Sequence, residues 1–409
     1  MSFDSFHLHP GIATAVHAFG YRNPTPIQRQ AIPPVLQGHD VLGLAQTGTG
    51  KTAAFVLPIL QRLVKNRTGL IQALVIAPTR ELSDQINAAF ATLGRQTHLR
   101  SLAIYGGVPI APQTRMLRSG VDIVVACPGR LLDHIRQGTI RLSNLEMLVL
   151  DEADRMLDMG FLADIREIMR YVPAVRQRLM FAATMPNNIR CLAQEVLRTP
   201  VTVQTDSFAP AATVSQALYP VAAHLKTALL LRLLHQTETT SVLIFTRTKH
   251  RAQRLGKQIM RAGYPATSLQ GDLSQNQRQA AIRGFRSGSY RVLVATDIAA
   301  RGIDISQISH VINYDMPDTT EAYTHRVGRT GRAEKTGDAF SLVTHEDEAM
   351  VSSIEAVLGT RLERRRLNGF DYQKPASPAP SNLTGRQRRV KPLACSDRSP
   401  NFREASRQA

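Results

Sequence analysis

Tryptophan is absent from this 409-residue chain, and aromatic residues as a whole make up only 5% of it. A fold that reads RNA by stacking bases on exposed aromatic platforms is therefore disfavoured. Cysteine is scarce as well: Cys127, Cys191 and Cys395 lie too far apart for a C-x-x-C metal knuckle, and their odd number argues against a disulfide framework. A reducing compartment is the simpler expectation. No run of 18 uncharged apolar residues occurs, and Met1 to Pro10 lacks a basic segment followed by an apolar one. The expectation is a soluble, cytoplasmic protein with no membrane partner. Acidic residues are also in deficit, 32 against 50 Lys plus Arg, which gives a formal charge of +18 and points to a polyanionic partner. What the chain has in plenty is apolar material: 43% hydrophobic against 20% charged excludes a wholly disordered protein.

The charge is unevenly spread. The 49 residues from Arg361 onward hold 12 Lys plus Arg against 4 acids, so +8 of the +18 sits there, among five prolines and few large apolar residues. Disorder is expected for 361–409, with either a solubility role or a sequence-independent grip on phosphates. The rest alternates short apolar runs with amphipathic stretches, the pattern of parallel sheets wrapped by helices. Ala73 to Ala77, Val121 to Ala126, Met147 to Leu150 and Arg178 to Ala182 read as buried strands, as do Val242 to Phe245, Arg291 to Ala295 and His310 to Tyr314. Leu74-Val75-Ile76 matches Leu243-Ile244-Phe245, and Ile123 to Ala126 matches Val292 to Ala295, both at an offset of 169 residues (243 − 74 and 292 − 123). Two related α/β domains in tandem are implied, joined near Thr205 to Thr213, where the apolar periodicity lapses. The expected boundaries are 1–208, a linker at 209–213, 214–360, and the tail.

After the apolar segment Val41 to Leu44 come Ala45, Gln46, Thr47, Gly48, Thr49, Gly50, Lys51 and Thr52, and then the helical run Ala53 to Leu63. This is a phosphate-binding loop in its strand, loop and helix context, with Ala45 in place of the usual first glycine. Gly48 and Gly50 let backbone amides turn toward phosphate oxygens, and the helix adds its N-terminus. Lys51 would reach the β and γ phosphates, and the Thr52 hydroxyl would ligate Mg2+. The second half has no such loop, so one nucleotide site is expected.

Asp151-Glu152-Ala153-Asp154 follows the strand Met147 to Leu150, which would bring the carboxylates out beside that loop. Asp151 is the candidate for holding Mg2+, largely through water, and Glu152 for orienting or deprotonating the attacking water. Residues 325 to 332 read H-R-V-G-R-T-G-R. Arg326, Arg329 and Arg332, with glycines between, suit a loop or helix start aimed at an anion, and Arg329 and Arg332 could reach a γ-phosphate across a closing cleft.

Together the D-E-A-D tetrad, the A-Q-T-G-T-G-K-T loop and H-R-V-G-R-T-G-R resemble the DEAD-box RNA helicases of superfamily 2 over about residues 1 to 360. S-F-D-S-F, G-Y-R-N-P-T-P-I-Q and R-M-L-D-M-G-F are most similar to the bacterial RhlE-like group. The resemblance implies two tandem RecA-like domains, each a mostly parallel sheet flanked by helices, with ATP and Mg2+ as cofactors. It implies that Tyr21, braced by Phe3, stacks on adenine, that Thr25 and Gln28 belong to the adenine-reading segment within 1–28, that Asp304 touches the ribose, and that His325 links the γ-phosphate to the closed interface. Pro78, Thr79 and Arg80 in P-T-R-E-L, Gly106, Gly107, Pro128, Gly129 and Arg130 resemble RNA-backbone contacts of the first domain. Gln270, Gly271, Asp272 and Thr296 resemble those of the second.

Two positions depart from the family pattern. Ala182-Ala183-Thr184 replaces S-A-T, removing a hydroxyl expected to couple hydrolysis to strand separation. Cys127 replaces the threonine of T-P-G-R, leaving a weaker donor toward an RNA phosphate. The implied activity is ATP-dependent local unwinding of short RNA duplexes and remodelling of RNA or RNA-protein complexes, with single strands held by phosphates and 2′-hydroxyls. The chain would be monomeric, with ribosome-assembly or RNA-degradation proteins as partners. Its rivals are a DNA translocase of the same superfamily and an RNA chaperone that anneals through binding alone.

Overall fold

The computed structural model describes residues 2–46, 48–173, 176–205, 214–237, 239–300, 308–331 and 336–375. In the first domain the strands are β1 (Val41–Leu44), β2 (Ala73–Ile76), β3 (Ser101–Ile104), β4 (Ile123–Ala126), β5 (Met147–Leu150), β6 (Gln177–Ala182) and β7 (Val201–Gln204). The second domain has β8 (Val214–Pro220), β9 (Val242–Phe245), β10 (Ala266–Leu269), β11 (Val292–Ala295), β12 (His310–Asn313), β13 (Gly337–Val343) and β14 (Glu363–Arg364). Each set forms a seven-stranded sheet, ordered β3-β4-β2-β5-β6-β1-β7 and β10-β11-β9-β12-β13-β8-β14, in which the strand pairings among the described residues are parallel. Parallel strands need crossover connections, and the helices that supply them cover both faces.

The two orders are the same list shifted by seven strands. The 169-residue offset survives in the register: Ala73 pairs with Ile123 in one sheet, and Val242 with Val292 in the other. Two clusters of buried apolar side chains lie on the faces of the first sheet, with β-branched and leucine residues of β2, β4 and β5 fully buried. Three further clusters serve the second domain. Burying such continuous apolar strands on both faces is what removes the polar alternation from their sequences. The expected join falls between β7 and β8, and its residues 206–213 lie outside those described.

One expected boundary moves. The second domain does not end at residue 360: Glu363–Arg364 pairs with β8, Leu362 is buried, and Leu367, Phe370 and Tyr372 pack on the domain's core. Arg366 lies over the Tyr372 ring at 5.4 Å, and the Tyr372 hydroxyl accepts from the Leu367 amide at 2.8 Å. Four apolar side chains spaced through a basic stretch are enough to fix it, and a compositional average hides them. Residues 376–409 lie outside the described part.

Candidate active site

β1 delivers the phosphate loop. The Ala45 amide donates to the Ala182 carbonyl at 3.0 Å, so the loop leaves the sheet still tied to β6. Gly48 and Gly50 then take φ of +89° and +94°, conformations that favour glycine, and a side chain at Gly50 would also meet the Gln28 amide. The helix Lys51–Leu63 begins at once with Gly50 as its N-cap. Lys51 is only 6% exposed, and among the described residues its ammonium finds no hydrogen-bond partner. A buried cation with no hydrogen-bond acceptor at a helix N-terminus is a preformed place for an anion. Thr52 is the next residue along, and Thr49 closes the loop by donating to the Gln46 carbonyl at 2.7 Å. Thr47 lies outside the described residues.

The N-terminal segment packs against this loop. Gln28 accepts from the Thr25 amide at 2.9 Å and donates to the Gly50 carbonyl at 3.1 Å, which ties the helix Pro26–Leu36 to the loop itself. Tyr21 lies over Phe3, ring centroids 5.7 Å apart and 18° from parallel, with Phe3 buried in the core.

The carboxylates emerge from the end of β5. Asp151 and Glu152 are 2% and 4% exposed, and their environments push them in opposite directions. Burial raises Asp151 to about 7, against the lowering effect of Lys51. Burial also acts to raise Glu152, but Arg155, Lys51 and Arg329 outweigh it and bring it down to about 2. Glu152 accepts from Arg155 Nη1 at 2.8 Å, a buried pair three residues apart. A residue absent from the expected set, Arg155, thus fixes the charge of the candidate base. Asp154 faces the other way, its Oδ2 accepting from the amides of Ala183 and Thr184, each at 2.9 Å, and from the Thr184 hydroxyl at 3.2 Å. The hydroxyl missing at Ala182 therefore leaves Asp154 Oδ2 with three donors.

The second domain closes the site from across the cleft. His325 and Arg326 fall in the last turn of the helix Thr320–Val327, so H-R-V-G-R begins at a helix end, where a loop or helix start is expected from sequence. Arg329 follows it, 4% exposed and close enough to Glu152 to lower its pKa. His325 is brought down to about 4 by burial first and then by Arg155, with Asp154 and Glu152 opposing, so it is neutral at pH 7. Arg326 departs from expectation: it turns inward, bridges both Asp297 oxygens at 2.7 and 2.6 Å, donates to Asn313 and the Asp315 carbonyl, and lies over Phe245. It braces the helix, with four of its five N–H donors committed to these partners. Arg332 and Asp304 lie outside the described residues.

Residues 25–192 match the DEAD/DEAH box helicase family and residues 225–334 the helicase conserved C-terminal domain. The DEAD-box ATP-dependent RNA helicase RhpA of Helicobacter pylori is 44% identical over 84% of this chain and 70% of its own. The corresponding figures for CshA of Bacillus subtilis are 42%, 90% and 74%. The chain belongs to the DEAD-box ATP-dependent RNA helicase family. Among solved structures, S. cerevisiae Dbp5 bound to RNA and ADP BeF3 has a TM-score of 0.80 in its L327V form, with 30% identity over 89% of this chain and 95% of that one. These relatives do not single out the RhlE-like subgroup. They favour neither the DNA translocase nor the annealing protein.

The positions expected to face RNA in this DEAD-box chain lie at the C-terminal ends of corresponding strands. Pro78, Thr79 and Arg80 follow β2, Gly106 and Gly107 follow β3, and Pro128, Gly129 and Arg130 follow β4; Gln270, Gly271 and Asp272 follow β10, and Thr296 follows β11. Several of these side chains are already engaged. Both Arg130 terminal nitrogens donate to the Val108 carbonyl at 3.1 Å, which pins the Gly106-Gly107 turn. Arg80 packs over Gly107, which has φ +74°, and donates to Gln275 of the second domain at 3.2 Å. Asp272 accepts from Lys249 at 2.9 Å, and Gln270 accepts from the Asp272 amide at 2.7 Å. Cys127 caps the helix Pro128–Arg136; its thiol is 3.5 Å from the Ser83 hydroxyl and is pushed up to about 11 by burial, so it stays protonated.

Two more residues escaped the sequence reading. Arg278 donates to Glu81 at 2.8 Å, across the domains and largely shielded from water, and Gln275 lies one turn away on the same helix. Glu81 belongs to P-T-R-E-L, but nothing in the local sequence around 278 marks its partner, 197 residues distant.

Proposed function

We propose that this chain binds ATP in the first domain, single-stranded or locally opened RNA across both, and uses hydrolysis to release the strand. Its activity is then ATP-dependent unwinding of short duplexes and remodelling of RNA or RNA-protein complexes with little sequence preference. The observation that carries the reading is the electrostatics of Glu152: a carboxylate almost fully shielded from water is held ionised by Arg155 and Lys51 of its own domain, with Arg329 of the other adding to them. A base whose charge is further stabilised from across the cleft is best set up when the domains are together. Ligands that touch both domains favour that arrangement.

In this scheme the Lys51 ammonium and the loop amides hold the phosphates, Arg329 faces the developing charge, and Glu152 orients the attacking water and takes its proton. Asp151 and the Thr52 hydroxyl fit a Mg2+ ion bound mostly through water and phosphate, which is how that ion is commonly held, and it would neutralise charge on the β and γ oxygens. Neutral His325 keeps Arg155 and Arg329 free of a third positive charge between them. RNA would lie along the ends of β2, β3 and β4 and then β10 and β11, gripped through its backbone. One chain supplies every part, which supports a monomeric working unit, and the free Cys127 and Cys191 suit a reducing cytoplasm; ribosome-assembly or RNA-degradation proteins are the partners its basic tail would suit.

The test is Glu152→Gln, which keeps the shape and the acceptor oxygen but removes the basicity. Phosphate release in the presence of RNA should fall by about a hundredfold or more, and multi-round unwinding with it, while RNA binding in the presence of ATP persists. Undiminished duplex remodelling by that variant would overturn the reading.

A further inference from the structure

The second domain repeats the first strand for strand, so β8 and the helix after it (Lys226–Gln236) stand where β1 and the helix Lys51–Leu63 stand. Both helices open with Lys-Thr-Ala, as Lys51-Thr52-Ala53 and Lys226-Thr227-Ala228. A cavity of about 430 Å³ lies at this second position, at the C-terminal ends of β8, β9 and β12. It is lined by Lys226 and Thr227, by Arg247, Arg251 and Arg254, and by Tyr314. We propose that this cavity is a metal-independent site for a small phosphorylated anion, of the size of a pyrophosphate or a nucleoside diphosphate's phosphate moiety.

The differences from the first site say what kind of ligand it suits. Six residues separate β1 from Lys51, including Gly48 and Gly50; five separate β8 from Lys226, Val221 to Leu225, with no glycine. Backbone amides therefore cannot wrap a phosphate here as they do in the first domain, and side chains must do the holding. Leu150 pairs with Ile76, and Asn313 with Phe245, so Tyr314 occupies the position of Asp151. Its hydroxyl is 2.8 Å from that of Thr227. Where the first domain offers a hydroxyl and a carboxylate to a divalent cation, the second offers two hydroxyls that satisfy each other, and the metal corner is gone.

Positive charge remains. Lys226 is 6% exposed, donates to the Tyr314 carbonyl at 3.1 Å and sits 3.6 Å from Asp347. Arg251 pairs with Asp315, and Arg247 makes a solvent-exposed pair with Asp318 at 3.5 Å, which water and salt weaken; Arg247 and Arg254 both present exposed guanidinium groups, the geometry that grips phosphate oxygens in pairs. The helix Lys249–Arg261, which carries two of these arginines, has five Lys plus Arg and no acid. Four cations face Asp315, Glu346 and Asp347, which leaves the cavity at +1 (4 − 3), with His224 at its edge. The first site is mixed in the same way, Lys51 and Arg155 against Asp151, Glu152 and Asp154, so acids in the lining do not exclude a phosphate. They do favour a small anion over a long polyanion.

The inference rests on the fold alone and does not depend on what the first site hydrolyses. Pyrophosphate titrated calorimetrically into the full chain carrying Lys51→Ala, with EDTA present, should show one saturable site. Arg247→Ala/Arg254→Ala in that background should weaken it by about tenfold or more, and Lys257→Ala, on the same helix but outside the cavity, should leave it unchanged. All three positions are exposed, so folding is not at stake. Equal affinity with and without Arg247 and Arg254, equal losses for Lys257→Ala, or an effect of the double variant on RNA affinity alone would overturn the proposal.

Discussion

Glu152 holds a left-handed backbone, φ 52° and ψ 50°, which a non-glycine residue adopts at a cost of roughly 1–2 kcal/mol. That strain lets Asp151 and Asp154 point in different directions from adjacent turns, one toward the phosphate loop and one toward residues 183 and 184. Because Asp154 already has three donors there, the serine missing at Ala182 matters less than the family pattern suggests. Thr184→Val, which deletes one of those donors, should lower duplexes opened per ATP by several fold, an effect of about 1 kcal/mol. Ala182→Ser should change the same ratio by less than about twofold, because its hydroxyl enters a site whose acceptor is served. Unwinding and ATPase measured side by side on both variants would decide; a larger effect at 182 than at 184 would show that the altered motif limits coupling after all.

Among the elements, those that carry chemistry were the most legible. β5 and β9 have the ends expected for them, and the phosphate loop sits between the expected strand and helix, since continuous apolar runs and glycine-lysine patterns are local signals. β3 escaped because Ser101, Leu102 and Ala103 are only half buried on an edge strand, and β13 because Gly337, Asp338 and Ser341 interrupt its apolar run. Arg155 and Arg278 escaped for a different reason: their roles exist only once distant carboxylates are placed beside them. The segment after Gly359 shows how composition misleads. Ending the chain after Gly359 removes Leu362, Leu367, Phe370 and Tyr372 from the second domain, and its melting temperature should drop by about 5 °C or more. Ending it after Pro375 should spare stability and remove seven Lys plus Arg against two acids (386, 388, 389, 391, 398, 403 and 407 against 397 and 404). That second truncation should weaken RNA binding and make its salt dependence shallower. Thermal melts and salt-dependent RNA titrations on the pair separate the two contributions.

At the scale of the whole molecule, the domains are held in register by the Glu81 and Arg278 pair and the Arg80 and Gln275 hydrogen bond. Removing one partner of a shielded pair leaves the other charge unmatched only while the domains are together, since opening returns it to water. Glu81→Gln or Arg278→Gln should therefore raise the RNA concentration needed for half-maximal ATPase by about tenfold, with little change in melting temperature. The exchange Glu81→Arg/Arg278→Glu should recover part of the loss. Unchanged RNA dependence in both single variants would show that the pair contributes nothing to closure.

Each domain buries its own apolar clusters, and none of those clusters is shared between the sheets. The covalent connection between β7 and β8 therefore matters for keeping the two domains near each other. Two separate proteins would have to find each other from solution, whereas short linkers keep their ends at effective concentrations on the order of millimolar. Glu152 and Arg329 can thus afford a weak, reversible meeting: the covalent connection guarantees that after each opening the same two surfaces come back together.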